Sequence, residues 1–216
     1  MASGILVPAI DFTGFAEDEF NDWYDLEHIP ERLRVPGFLA CQRWISAQNP
    51  KISVATYELE SIDVLKSAAY NAAGNHAGGS KNLSVWSKRV TPRIKTVMRF
   101  EGEQLSSAGN SAPKDAPALL VNAMSIATEH EHEFNEWYET EHIPALAAVP
   151  GFLCAHRYCG TATSTQRYLA LYYVASPEVP DSTAWKEAAT TPWTERMRQH
   201  FRDRQRIACR RYHRAP

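Results

Sequence analysis

The chain has 216 residues, 44% of them hydrophobic and 22% charged, which is ordinary globular composition with enough apolar material for a sizeable core and argues against disorder. Its 23 basic and 25 acidic residues leave a formal charge of -2, so no global field draws nucleic acid or an acidic membrane, and a small neutral partner fits better. The N-terminus has no basic region ahead of its apolar stretch, and no run nears the roughly 18 apolar residues that cross a bilayer. A cytoplasmic protein is expected, with Cys41, Cys154, Cys159 and Cys209 reduced and structural, since their spacing matches neither a disulfide nor a zinc framework.

In chain order, ILVPAIDF is a short apolar strand candidate. The acidic start Glu17, Asp18 and Glu19 then favours a helix N-terminus through the dipole. Phe20, Trp23, Tyr24, Glu27 and His28 follow at i, i+3, i+4, i+7 and i+8, one helical stripe. Pro30 predicts the end of that helix near Ile29, and Pro36-Gly37 marks a turn. Strands are predicted over 38–46 and 52–60, helices over 63–73 and 81–89, and a closing strand over 94–100. The second half repeats the order: strand 118–126, helix 131–143, strands 152–159 and 167–175, helix 181–189 extended by 192–203, strand 206–212.

The repetition is also literal. Residues 19–43, EFNDWYDLEHIPERLRVPGFLACQR, and 133–157, EFNEWYETEHIPALAAVPGFLCAHR, share 15 of 25 positions without a gap. This reads as a tandem duplication, with a first repeat at 1–102, a Ser-, Ala-, Gly- and Pro-rich linker at 103–117 and a second repeat at 118–216. A βαββαβ unit of this size is the ferredoxin-like pattern, four antiparallel strands with helices on one face. The predicted fold class is therefore α+β, two such units whose sheets pair within one chain into a dimeric α/β barrel. Duplication supplies the pairing, so either a monomer or a homodimer is expected.

WYDLEHIPERLRVPGF and WYETEHIPALAAVPGF resemble the EthD-like branch of the dimeric α/β barrel superfamily, in which an aromatic pair precedes His-x-Pro and a Gly-aromatic strand start. The resemblance implies a ligand pocket between sheet and helices. It leaves the reaction open, because the superfamily includes monooxygenases, cyclases, dehydratases, decarboxylases, isomerases and haem proteins.

His28 and His142 lead the candidates for chemistry. Helix carbonyls at a C-terminal end favour imidazolium whereas aromatic surroundings disfavour it, which predicts a pKa near neutrality and suits proton transfer. The alternative is a histidine that fixes the helix end. Glu27, Glu141, Asp22 and Glu136 either orient these rings or form solvated helix faces. Trp23, Trp137, Phe38 and Phe152 read as core and pocket wall. The hydroxyls of Tyr24 and Tyr138 could stabilise enolate or phenolate charge. Arg43 and Arg157 either bind an acidic substrate group or bridge to the preceding helix. The halves differ: Glu31, Arg32 and Arg34 follow His-x-Pro in the first, Ala145, Leu146, Ala147 and Ala148 in the second, which adds His156. That favours His142 over His28 for an aromatic ligand. His76 in GNHAGGS suggests a lid or a surface loop. His130 and His132 invite a metal, but an acidic helix start explains them equally.

There is no phosphate loop, nucleophile elbow or dinucleotide fingerprint. The predicted activity is elimination, decarboxylation or isomerisation of an aromatic or polyketide-like molecule by histidine acid-base chemistry, without cofactor or metal. A cofactor-free monooxygenase, a carrier of aromatic or lipid-like ligands and a haem protein are the rival readings.

Overall fold

The computed structural model describes residues 3–74, 83–109 and 115–214. The chain divides into two compact units, Met1–Glu103 with Tyr212–Pro216, and Gln104–Arg211. The boundary differs from the expected linker at 103–117, because strand runs straight through its first part and residues 110–114 lie outside the described residues.

In the first unit the order is β1 (Gly4–Asp11), α1 (Glu17–Trp23), α2 (Ile29–Leu33), β2 (Phe38–Ser46), β3 (Ile52–Leu59), α3 (Ala68–Ala72), α4 (Val85–Val90) and β4 (Lys95–Gly109). β1 lies between β3 and β4, and β2 flanks β3, all antiparallel. The second unit repeats this with β5 (Ala118–Ser125), α5 (Glu131–Trp137), α6 (Ile143–Ala147), β6 (Phe152–Gly160), β7 (Tyr168–Val174), α7 (Thr183–Ala188), α8 (Pro192–Arg198) and β8 (Arg202–Arg211). There β5 lies between β7 and β8, and β6 flanks β7. Both sheets have the strand order of a ferredoxin-like βαββαβ unit.

Helices pack on one face of each sheet because their apolar stripes have no other place to be buried. Phe20, Trp23 and Tyr24 in the first unit, and Phe134, Trp137 and Tyr138 in the second, are at most 2% exposed. They sit in clusters with Leu6, Ile10, Ala55 and Tyr57, and with Leu120, Met124, Ala170 and Tyr172. Burying a side chain of this size contributes roughly 1.5–3 kcal/mol.

The first helix does not stop before Pro30. A π turn, Tyr24–His28, joins α1 to α2, and Tyr138–His142 joins α5 to α6. Ile29 N–H donates to the Tyr24 carbonyl and Ile143 N–H to the Tyr138 carbonyl, five residues back. Proline has no N–H and its ring presses on the carbonyl four residues back; the wider turn lets the chain continue helically through it. Pro30 and Pro144 thus sit in the first turn of a new segment, where no donor is required. The long helix predicted for 63–73 is also interrupted: Ser67 is extended and its hydroxyl caps α3 by accepting from Tyr70 N–H. The predicted helix over 192–203 ends at Arg198, and β8 begins at Arg202. Among the described residues no helix is long and apolar enough to cross a membrane.

Candidate functional site in the second unit

The π turns place both motif histidines under the aromatic stripe. The His142 ring stacks on Trp137 with centroids 4.3 Å apart and lies edge-on to Tyr138 at 5.1 Å. His28 repeats this on Trp23 at 4.7 Å and Tyr24 at 5.0 Å. Each tryptophan donates its indole N–H to a hydroxyl at the start of the next helix, Trp23 to Ser87 and Trp137 to Thr194. Glu27 accepts from Ser84 and Ser87, and Glu141 accepts from Thr191. These glutamates therefore fasten the helix to α4 and α8. Asp22 pairs with Arg214 instead, and Glu136 is exposed.

In the second unit the sheet and helices enclose a cavity of about 40 Å3. Trp137, Tyr138 and His142 line it, with Leu120, Asn122, Leu146, Tyr172, Trp185 and Arg204. One buried polar atom on this wall, His142 Nδ1, has no hydrogen-bond partner among the described residues, and the Tyr172 hydroxyl lies beside the Tyr138 phenol. Asn122 donates to the Tyr138 hydroxyl at 3.4 Å and accepts from Arg204 Nε at 3.2 Å. Burial pushes the pKa of His142 down to about 3, with Arg198, Arg204 and Arg157 acting the same way. The expectation of a pKa near neutrality fails because the helix runs on past His142, so no free terminal carbonyls face the ring. Burial also raises the Tyr138 and Tyr172 phenols, which stay neutral hydrogen-bond donors near pH 7.

The two units diverge where the cavity lies. By register, Asn122 stands where the first unit has Pro8, Tyr172 where it has Tyr57, and Arg204 where it has Val97. Leu146 corresponds to Arg32. Arg32 is 3% exposed and donates to the carbonyls of Ala73 and Gly74. Tyr57 donates its hydroxyl to Tyr24 at 3.2 Å, so both phenols are occupied with each other. Arg32 takes up space that stays open beside Leu146.

Several expected site residues lie elsewhere. Arg43 and Arg157 bridge to the helix: Arg43 bonds Asp25, Asn21 and Ser53, and Arg157 bonds Glu139 and Asn135. Each guanidinium lies over a motif tyrosine, Tyr24 at 4.5 Å or Tyr138 at 4.1 Å. His156 is the next residue on β6 after Ala155 and before Arg157, and adjacent strand residues face opposite sides. It meets Tyr173 and Gln104, not His142. Phe38 packs on Tyr57 and Tyr70, and Phe152 packs at the edge of the second core. His130 stacks on His200 at 3.6 Å, His132 is exposed, and among the described residues no group of three His, Cys, Asp or Glu side chains could hold a metal. Asn122, Tyr172, Trp185 and Arg204 were missed by sequence reasoning. Asn122 and Arg204 stand at strand positions that differ between the halves, Tyr172 at one where both have tyrosine, and Trp185 on α7, all outside the segment that matches without gaps. His76 lies outside the described residues.

The architecture matches known structures along nearly its whole length. An anthrone oxidase-like protein aligns with a TM-score of 0.64 and 12% identity, covering 99% of this chain and 94% of that one. A putative chlorite dismutase aligns at 0.61 and 13%, covering 99% and 96%. The chain has the α+β fold of the dimeric α/β barrels. A putative monooxygenase from Lactobacillus acidophilus aligns at 0.58 and 12%, covering 97% and 94%. No protein-family description and no curated protein matches the sequence. At such identities the likeness concerns fold alone.

Proposed function

We propose that the cavity of the second unit is the active site of a small-molecule enzyme acting on an aromatic or polyketide-like compound. In the Nε2–H tautomer, His142 presents the lone pair of Nδ1 to the cavity. It takes a proton from an acidic C–H or O–H, the electron pair moves onto a substrate oxygen, and Tyr138 and Tyr172 donate hydrogen bonds to that oxyanion. An isolated imidazolium there is unfavourable, so transfer depends on the new anion standing beside it. Returning the proton to another carbon completes an isomerisation. Handing it to a departing β-hydroxyl, which leaves as water as the oxyanion re-forms the carbonyl, completes an elimination. Where the proton comes from the carboxyl of a β-keto acid, carbon dioxide leaves, the C–C pair moves onto the ketone oxygen, and return of the proton to the enolate carbon completes a decarboxylation. The observation that carries this reading is the unpaired Nδ1 of a 9%-exposed histidine lining a cavity with two neutral phenols.

A cofactor-free oxygenase is the second reading, supported by the anthrone oxidase-like and monooxygenase descriptions of structural neighbours. An anthrone is a ketone that enolises, so the same first step serves both. Purified protein is incubated with candidate phenolic and polyketide compounds: loss under nitrogen supports lyase or isomerase chemistry, oxygen-dependent loss the oxygenase, and binding without loss a carrier. His142→Gln should abolish either loss. We also read the two units as copies of one EthD-like ancestor. The repeated ring pairs, π turns and Trp-to-hydroxyl bonds support this.

A further inference from the structure

Three arginines stand at the cavity of the second unit, Arg198, Arg204 and Arg206, and no acidic side chain lines it. Their surroundings are unequal. Arg198 is paired with Glu195 and also donates to the Ala189 carbonyl. Arg206 is paired with Asp181 and donates to the Pro180 carbonyl. Arg204 bonds through Nε to the neutral amide oxygen of Asn122 and lies near the Phe201 ring, 5.9 Å from its centroid. Among the described residues it has no carboxylate partner.

A guanidinium offers five donors in a planar fork, and one of Arg204's is used by Asn122. Asn122 fixes the orientation of the fork without cancelling its charge, and the same amide holds Tyr138. Behind them lie the neighbouring Tyr138 and Tyr172 phenols and His142 Nδ1, the last buried and without a partner among the described residues. A buried polar atom with no partner costs about 1–3 kcal/mol, and one on a cavity wall indicates that something polar belongs against it. The first unit does not present this set: Val97 replaces the arginine and Pro8 the asparagine.

We infer that Arg204, oriented by Asn122, is an oxyanion-recognition residue, and that the pocket selects weak organic acids whose carboxylate or phenolate oxygen enters it head first. The inference rests on the proposed use of this cavity, and it deepens that reading by naming the substrate class. The cavity accepts the charged head, while the rest of the molecule lies toward Arg198, an exposed side chain that can swing aside. Arg204 then binds the anion in the ground state, and His142 and the phenols act on the atoms beside it.

The test uses the full-length chain and four probes, acetate, benzoate and their uncharged amides acetamide and benzamide, followed by tryptophan fluorescence and ligand-observed NMR. The acids should bind at least about tenfold more tightly than the amides. Arg204→Gln should erase that preference, whereas Arg198→Gln, which removes an already paired charge, should reduce it less than threefold. The acids should also compete with one another, and chloride should weaken them. Equal binding of acids and amides, no binding of any probe, or a preference unchanged in Arg204→Gln would each overturn the inference. The two readings fail separately: acid binding that depends on Arg204 without turnover of any compound leaves the recognition role and removes the enzyme. Turnover with unchanged kcat/KM in Arg204→Gln does the reverse.

Discussion

His142 lies face to face with Trp137, ring centroids 4.3 Å apart and planes 29° from parallel, and the Trp137 indole N–H is held by Thr194. The ring thus sits between the helix and the cavity. If it is the base, His142→Ala should lower turnover roughly a hundredfold or more, while His28→Ala, beside the space that Arg32 fills, should lower it less than about fivefold. Both variants are first checked for folding by circular dichroism. Equal losses, or none, would refute this division of labour between the units.

The depressed pKa of His142 has two pH signatures. Its folded value, about 3, lies below the ordinary 6.5, so the neutral form stabilises the fold. That stability is fully present above about 6.5 and is lost as pH falls through the interval toward 3. His142→Phe, which keeps a ring on Trp137, should flatten the fall of Tm between pH 6.5 and 4. In the same interval kcat/KM should show no acid limb belonging to this residue. A limb near 6 matched by an NMR titration of the His142 ring would contradict the burial argument.

Arg43 and Arg157 look alike, yet their removal should differ. Asp25, the partner of Arg43, has a side chain 17% exposed; Glu139, the partner of Arg157, has one 46% exposed. Arg43→Met strands a largely buried carboxylate and should cost about 3–5 kcal/mol, whereas Glu139 can rehydrate and Arg157→Met should cost about 1–2 kcal/mol, chiefly the lost hydrogen bond to Asn135. Urea denaturation of the two variants measures this, and a larger loss for Arg157→Met would show that exposure does not decide it.

Leu146→Arg should close the cavity as Arg32 does in the first unit. The new side chain can reach the carbonyls at the end of α7, which correspond to those of Ala73 and Gly74. Ligand binding and turnover should fall at least about tenfold while the protein remains folded. Retention of both would mean that the ligand uses a different surface.

The fold was legible because its signals are local and repeated. The aromatic stripe from Phe20 to His28 can be buried in only one way, and the matching stripe from Phe134 to His142 doubles the information. The helix end at Ile29 was misread because a proline rule describes an α turn, and the π turn that accommodates Pro30 has no compositional mark. The site was half legible. Trp137, Tyr138 and His142 lie within the conspicuous motif, whereas Asn122, Tyr172 and Arg204 meet them only through strand pairing over long sequence distances. His156 and Arg157 show the limit sharply: neighbours in sequence, they point to opposite faces, and neither lines the cavity.

The first unit has a last fastening that comes from far along the chain. Tyr212 N–H donates to the Arg43 carbonyl, its ring lies 4.1 Å from the same guanidinium, and Arg214 pairs with Asp22. During synthesis these residues leave the ribosome more than a hundred positions after β4 begins. Until then Arg43 can hold Asp25 and Asn21 but remains uncovered on one side, so the first-made unit is the one that must wait for completion. Trimming the chain after Arg211 would therefore loosen the amino-terminal half, a remote effect of an end that contributes no residue to the cavity.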